Sequence, residues 1–131
     1  MQRFGIDTSI LVRLATGDPE GDFKRCVSKL TRLVEQDKAE VFASNQVIGE
    51  AYIALQHHYG VSKAEARAAL VDVLTSGLVA PLGGAPVMAA LNTTTGCGLL
   101  DRLIADEYHR AGLVTLTLDR RMAALPDARR L

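Results

Sequence analysis

Four carboxylates stand where an α/β chain exposes its chemistry. Asp7 directly follows the short apolar run Phe4-Gly5-Ile6, and Asp119 directly follows Leu113–Leu118; Asp101 opens one helical stretch and Glu50 lies on another. An open α/β sheet binds ligands outside the carboxyl ends of its strands, where helix N-termini also converge. Carboxylates gathered on such a rim repel one another unless protons or cations compensate them. Magnesium suits that role, because it takes oxygen ligands at about 2.0–2.1 Å, keeps several waters, and is held by a few carboxylates plus a substrate phosphate. Such an ion activates water and neutralises phosphodiester charge in the transition state. Taken singly, each aspartate also reads as a helix cap, favoured by free N–H groups and the helix dipole, and Glu50 reads as a helix-surface acid. The argument for chemistry therefore rests on their joint address.

The elements that must position these side chains follow from the spacing of apolar residues. Helical periodicity runs through Ile10, Leu11 and Leu14 after Asp7, and through Phe23, Cys26, Val27, Leu30, Leu33 and Val34 between Glu20 and Asp37. Asp18 is the expected cap of that second helix, with Pro19 at its first position. Its other face carries Lys24, Arg25, Lys29 and Arg32, read as a solvated basic face. Glu40–Ala43 is a predicted strand, and Ser44 or Asn45 caps a helix over Gln46–His58, stopped by Gly60. Ser62 and Glu65 form a capping box for a helix through Thr75 with core positions Ala66, Ala69, Leu70, Val73 and Leu74. A short strand within Leu78–Leu82, helical turns over Pro86–Leu91 and a loop over Asn92–Gly98 come next.

Leu99, Leu100, Leu103, Ile104, Tyr108 and Ala111 give the following helix one apolar side, with Gly112 as its stop. Asp106 and Glu107 are rotated away from Asp101 and read as surface charges. Leu113–Leu118 reads as a buried parallel strand, Arg120–Leu125 as a short helix stopped by Pro126, and Ala128–Leu131 as a final edge strand. The alternation of strands and helices predicts one three-layer α/β/α domain over residues 1–131, built on a largely parallel sheet of four to five strands.

Composition bounds the function. The chain has 131 residues, 48% hydrophobic and 23% charged, which are ordinary globular values. Formal net charge is zero, so there is no global basic signal for tight nucleic-acid binding. No apolar run approaches the ~20 residues of a bilayer span, and the start of the chain lacks an apolar secretory core, so the expected location is the cytoplasm. Cys26 and Cys97 form no CxxC pair; both are expected as small, reduced, buried or half-buried thiols.

The ordered set Asp7-Thr8-Ser9, Glu50, Gly98-Leu99-Leu100-Asp101-Arg102-Leu103-Ile104-Ala105 and Thr117-Leu118-Asp119 resembles the PIN domain, and within that family the VapC-type toxins of bacterial toxin–antitoxin pairs. The resemblance runs over essentially the whole chain. It implies a magnesium- or manganese-dependent endoribonuclease whose four acidic positions are Asp7, Glu50, Asp101 and Asp119. Ser9, or else Thr8, matches a hydroxyl that supports the first aspartate, and Thr117 matches the threonine before the last. It further implies an RNA substrate, a small antitoxin partner and a homodimer. Gly98 departs from the pattern, because many relatives carry an acid three residues before the third aspartate.

Other signals are weaker. Arg120 and Arg121 follow Asp119 and could engage substrate phosphates or belong to a solvated helix face. His57 lies two turns from Glu50, about 10 Å by helical rise, too far for a common metal. Leu82–Pro86 is glycine-rich but lacks the GK[ST] of a phosphate loop. Asp7-Thr8-Ser9 lacks the second aspartate of a DxD phosphatase nucleophile. The alternative function is a catalytically weak PIN-like module that binds RNA or docks a basic segment of a partner protein.

Overall fold

The computed structural model describes residues 1–131. In chain order the elements are β1 (Arg3–Gly5), α1 (Thr8–Thr16), α2 (Glu20–Thr31), β2 (Glu40–Ala43), α3 (Asn45–His58), α4 (Lys63–Leu74), β3 (Ala80–Pro81), α5 (Ala85–Asn92), α6 (Leu99–Arg110), β4 (Thr115–Thr117), α7 (Arg120–Ala123) and β5 (Ala128–Arg130). The α/β class and parallel pairing match the expectation from sequence. The strands, however, pair as two sheets, β1-β2-β3 and β4-β5.

Local chemistry sets most boundaries. Asp7 caps α1 by accepting from the Ile10 N–H at 3.2 Å. Gly17, in the left-handed region at φ 69°, ends the helix by donating its N–H to the Arg13 carbonyl at 2.9 Å. Ser44 caps α3 through the Val47 N–H. Ser62 and Glu65 form the reciprocal capping box of α4 at 3.1 and 3.2 Å. Asp18 does not cap α2: Pro19 itself holds the cap position, without a side-chain bond. The expected helix to Asp37 loosens into a π-helical stretch over Arg32–Gln36.

The main core joins 19 buried residues, with Leu11, Ile48, Leu55, Leu70, Leu91 and Leu99 fully enclosed. It ties α1, α3, α4, α5 and the start of α6 to the larger sheet. Arg67, itself buried, donates to the carbonyls of Ala90 and Leu91 at 2.8 and 3.0 Å, fastening α4 to the last turn of α5. Gly49 brings α3 close to α6: a Cβ there would stand 2.9 Å from Leu100 Cδ2.

Three expectations fail toward the C-terminal end. Leu113–Leu118 is not a buried strand. Only Thr115–Thr117 is extended and only Thr115 is buried, while Leu113, Val114, Leu116 and Leu118 are more than half exposed. Apolarity alone suggested burial, but β4 pairs with β5 and no third strand. The apolar side of α6 divides, with Leu99 and Leu103 entering the core and Leu100, Ile104 and Tyr108 remaining exposed. Asp106 is no surface charge: its side chain is 8% exposed, accepting from Asn45 Nδ2 at 2.9 Å and Arg110 Nε at 3.0 Å. Asn45 also donates to the Leu103 carbonyl, so this polar lock joins the start of α3 to α6.

Candidate active site

Asp7 stands where the sequence placed it, between the carboxyl end of β1 and the start of α1. Its Oδ1 accepts from Ser9 Oγ at 2.6 Å and from the Ile10 N–H, while Oδ2 carries no bond. The Ser9 hydroxyl, then the Ile10 amide, hold its pKa below the ordinary aspartate value. Of the two hydroxyls considered as support for Asp7, Ser9 is the one that serves it.

Thr8 has a different partner. Its Oγ1 donates to Glu50 Oε1 at 2.5 Å, and Gln46 Nε2 donates to Oε2 at 3.4 Å. These bonds, Thr8 first, lower the Glu50 pKa. Glu50 and Asp7 are thus linked through adjacent residues of α1, and both remain anionic at neutral pH. The Thr8–Glu50 contact spans 42 positions and follows from the packing of α1 on α3; along the chain its one trace is a pair of consecutive hydroxyls.

Asp101 and Asp119 form a second neighbourhood. Asp101 lies in the first turn of α6, behind the Gly98 cap, and neither of its oxygens accepts a protein hydrogen bond. Asp119 caps α7, its Oδ1 accepting from the Met122 N–H at 2.8 Å, and its own N–H donates to Thr117 Oγ1 at 3.0 Å. Thr117 therefore shapes the turn that presents Asp119. Both aspartates act on the buried Cys97 thiol: burial pushes its pKa up, Arg102 opposes this, and the charges of Asp101 and Asp119 add to the rise. Arg120 and Arg121 are exposed and form no ion pair; Glu107 is exposed as expected.

Two clefts adjoin Asp7 and Glu50, and neither is lined by Asp101 or Asp119. One, of about 600 Å³, runs along β1 from Arg3 to Asp7 and reaches across to Phe42, Ser44 and Leu82. The other, of about 420 Å³, lies between α3 and α6, with Glu50 beside Ile53, Leu100, Ile104 and Tyr108.

Carboxylate oxygens are the ligands a hard cation takes, but no three of these acids are gathered into one cluster. Asp7 Oδ2, Asp119 Oδ2 and both oxygens of Asp101 are uncommitted, while the other oxygens of Asp7 and Asp119 fix helix starts. No three acidic, histidine or cysteine side chains form a ready cation cage. An ion here would complete its shell with water and substrate oxygens, as magnesium commonly does. His57 and His58 lie in the last turn of α3, and His58 lines a cleft with Thr8 and Ser9.

No helix is long and apolar enough to cross a membrane. Comparisons with curated proteins and with solved structures gave no match. Residues 5–128 match the PIN domain, a family of nucleases. That match runs from the end of β1 to the start of β5 and includes all four carboxylates, and the chain belongs to the PIN-domain family.

Proposed function

We propose that residues 1–131 act as a single metal-dependent endoribonuclease unit of the VapC toxin type, hydrolysing RNA phosphodiesters with magnesium or manganese. The observation that carries this reading is the preorganised anionic pair at the mouth of the larger sheet, Asp7 held by Ser9 and Glu50 held by Thr8, in a PIN domain. Asp7, Asp101 and Asp119 would hold one or two cations through their uncommitted oxygens, directly or through water, and Glu50 would complete the site. When bound, the cation supplies an activated water for in-line attack and neutralises phosphoryl charge. The hydroxyls of Thr8 and Ser9 keep their carboxylates unprotonated, and Thr117 sets the backbone that aims Asp119. Arg120 and Arg121 meet substrate phosphates at the rim. A small antitoxin would dock on the clefts beside Asp7 and Glu50, and the enzyme would work as a cytoplasmic homodimer.

The test is cleavage of single-stranded RNA with magnesium, with EDTA, and by Asp7→Asn. The expected products carry 5′-phosphate and 3′-hydroxyl ends; cyclic phosphates, or undiminished cleavage in EDTA, would overturn the mechanism.

A second reading, a catalytically weak module that binds RNA or a basic partner segment, is favoured by the absence of a ready cage and by Gly98. A side chain at Gly98 would meet nothing within 4 Å, so Gly98→Asp can be built and keeps a good helix cap. Under the nuclease reading Gly98→Asp lowers the magnesium concentration giving half-maximal cleavage. An unchanged magnesium titration favours the binding module.

A further inference from the structure

The charge of the chain is unevenly spread. Overall it balances, yet residues 120–131 hold Arg120, Arg121, Arg129 and Arg130 against the single carboxylate Asp127. That carboxylate is engaged elsewhere, accepting from His109 Nδ1 at 2.7 Å. None of the four arginines takes part in an ion pair, and all four are exposed. Four unpaired arginines thus outnumber the two carboxylates, Asp119 and Asp127, of this corner.

Strand register singles out one member. β4 and β5 are parallel, so their carboxyl ends lie on the same side, and Arg130 pairs with Thr117, the residue whose hydroxyl fixes the Asp119 backbone. Paired strands stand about 4.8 Å apart and cross-strand partners share a face. Arg130 thus shares its face with Thr117 and Thr115, whereas Arg129, paired with Leu116, lies on the opposite face. The Leu131 N–H donates to the Thr117 carbonyl at 3.0 Å, so the backbone around Arg130 is held in the ladder. A carboxylate rim that must accept an anionic substrate needs a cation beside it, and a guanidinium without a protein partner keeps its full fork of donors for a phosphate.

We propose that Arg130 is a substrate-positioning residue, its guanidinium binding a backbone phosphate of the RNA laid across Asp119. This rests on the nuclease reading above and extends it to a residue that no sequence motif marks.

The test uses the full chain and a fluorescein-labelled single-stranded RNA. Binding is read by anisotropy over a salt series in the Asp7→Asn background, and kcat and KM are measured in the otherwise native chain. Arg130→Gln is expected to raise Kd and KM about fivefold or more with kcat little changed, and to flatten the log–log salt dependence by roughly one phosphate contact. Arg130→Lys should restore the salt slope, though not the full affinity, because it keeps the charge and loses the fork. Arg129→Gln is the opposite-face control and should change both far less. Native Kd and slope in Arg130→Gln, or an equal loss in Arg129→Gln, overturns the assignment while leaving the nuclease reading intact. A chain that neither binds nor cuts the RNA overturns both.

Discussion

Asp7 and Glu50 rise from a part of the molecule whose core joins 19 buried residues. Asp119 rises from a corner whose core is Cys97, Ala105 and Met122, with Leu125 packed against them. The two aspartates share one local design, a strand-end carboxylate that caps the next helix through a single oxygen. Their support differs. The α1 cap is braced by Thr8 and Glu50 across α3, while the α7 cap sits on a four-residue helix and a two-stranded sheet with four exposed apolar side chains on and around β4. A short sequence can therefore specify a carboxylate's orientation, whereas the rigidity of the platform beneath it depends on how many long-range contacts enclose that platform.

The largest expected effect separates charge from capping. Asparagine caps a helix about as well as aspartate, so Asp7→Asn should leave the melting temperature within a few degrees of native. Its cleavage rate should fall on the order of 10²- to 10³-fold, the equivalent of a few kcal/mol. A rate within a factor of a few of native would remove Asp7 from the chemistry.

The next test compares the two cores. Leu70 is fully enclosed, and Leu70→Ala should cost about 2–5 kcal/mol in urea unfolding. Met122→Ala should shift that global transition much less, while accelerating amide exchange across Thr115–Thr117. Equal destabilisation by both would mean that one cooperative unit spans the molecule, and the contrast between the corners would dissolve.

Smaller still is Ser62→Ala, which removes the α4 capping box and should cost about 1 kcal/mol with no change in kcat. Any loss of cleavage beyond that explained by unfolding would show that α4 influences the site.

The smallest effect is a shift of pH profile. The Thr8 hydroxyl lowers the Glu50 pKa, so Thr8→Val moves the acid limb of kcat/KM to higher pH and leaves the rate near neutrality little altered. The sign follows from linkage: a carboxylate whose folded pKa is depressed contributes stability above its unfolded pKa, and that contribution is lost as pH falls through the folded pKa. An acid limb unmoved in Thr8→Val would mean that another group sets it.

Much of this molecule was legible in its sequence because the signals were local. Ser44, Ser62 with Glu65, and Asp7 each act within four residues, and helical spacing of Leu11, Leu70 and Leu99 sufficed to assign them to the core. Errors arose where a residue's fate depends on distant partners. Asp106 looked like a surface acid until Asn45, 61 positions away, donated to it. Leu113–Leu118 had the composition of a buried strand, but burial requires neighbours on both faces, and only β5 pairs with β4.

Residue types and their order determined the strand-to-helix turns, the caps and the identity of the four acids, because hydrogen bonds over three or four residues need no help from the rest of the chain. Tertiary structure alone decided that Thr8 serves Glu50, that Asp101 and Asp119 share the surroundings of Cys97, and that Arg130 lies beside Thr117. Those pairings depend on which elements pack and in what register, and no spacing along the chain encodes a register between strands separated by a helix.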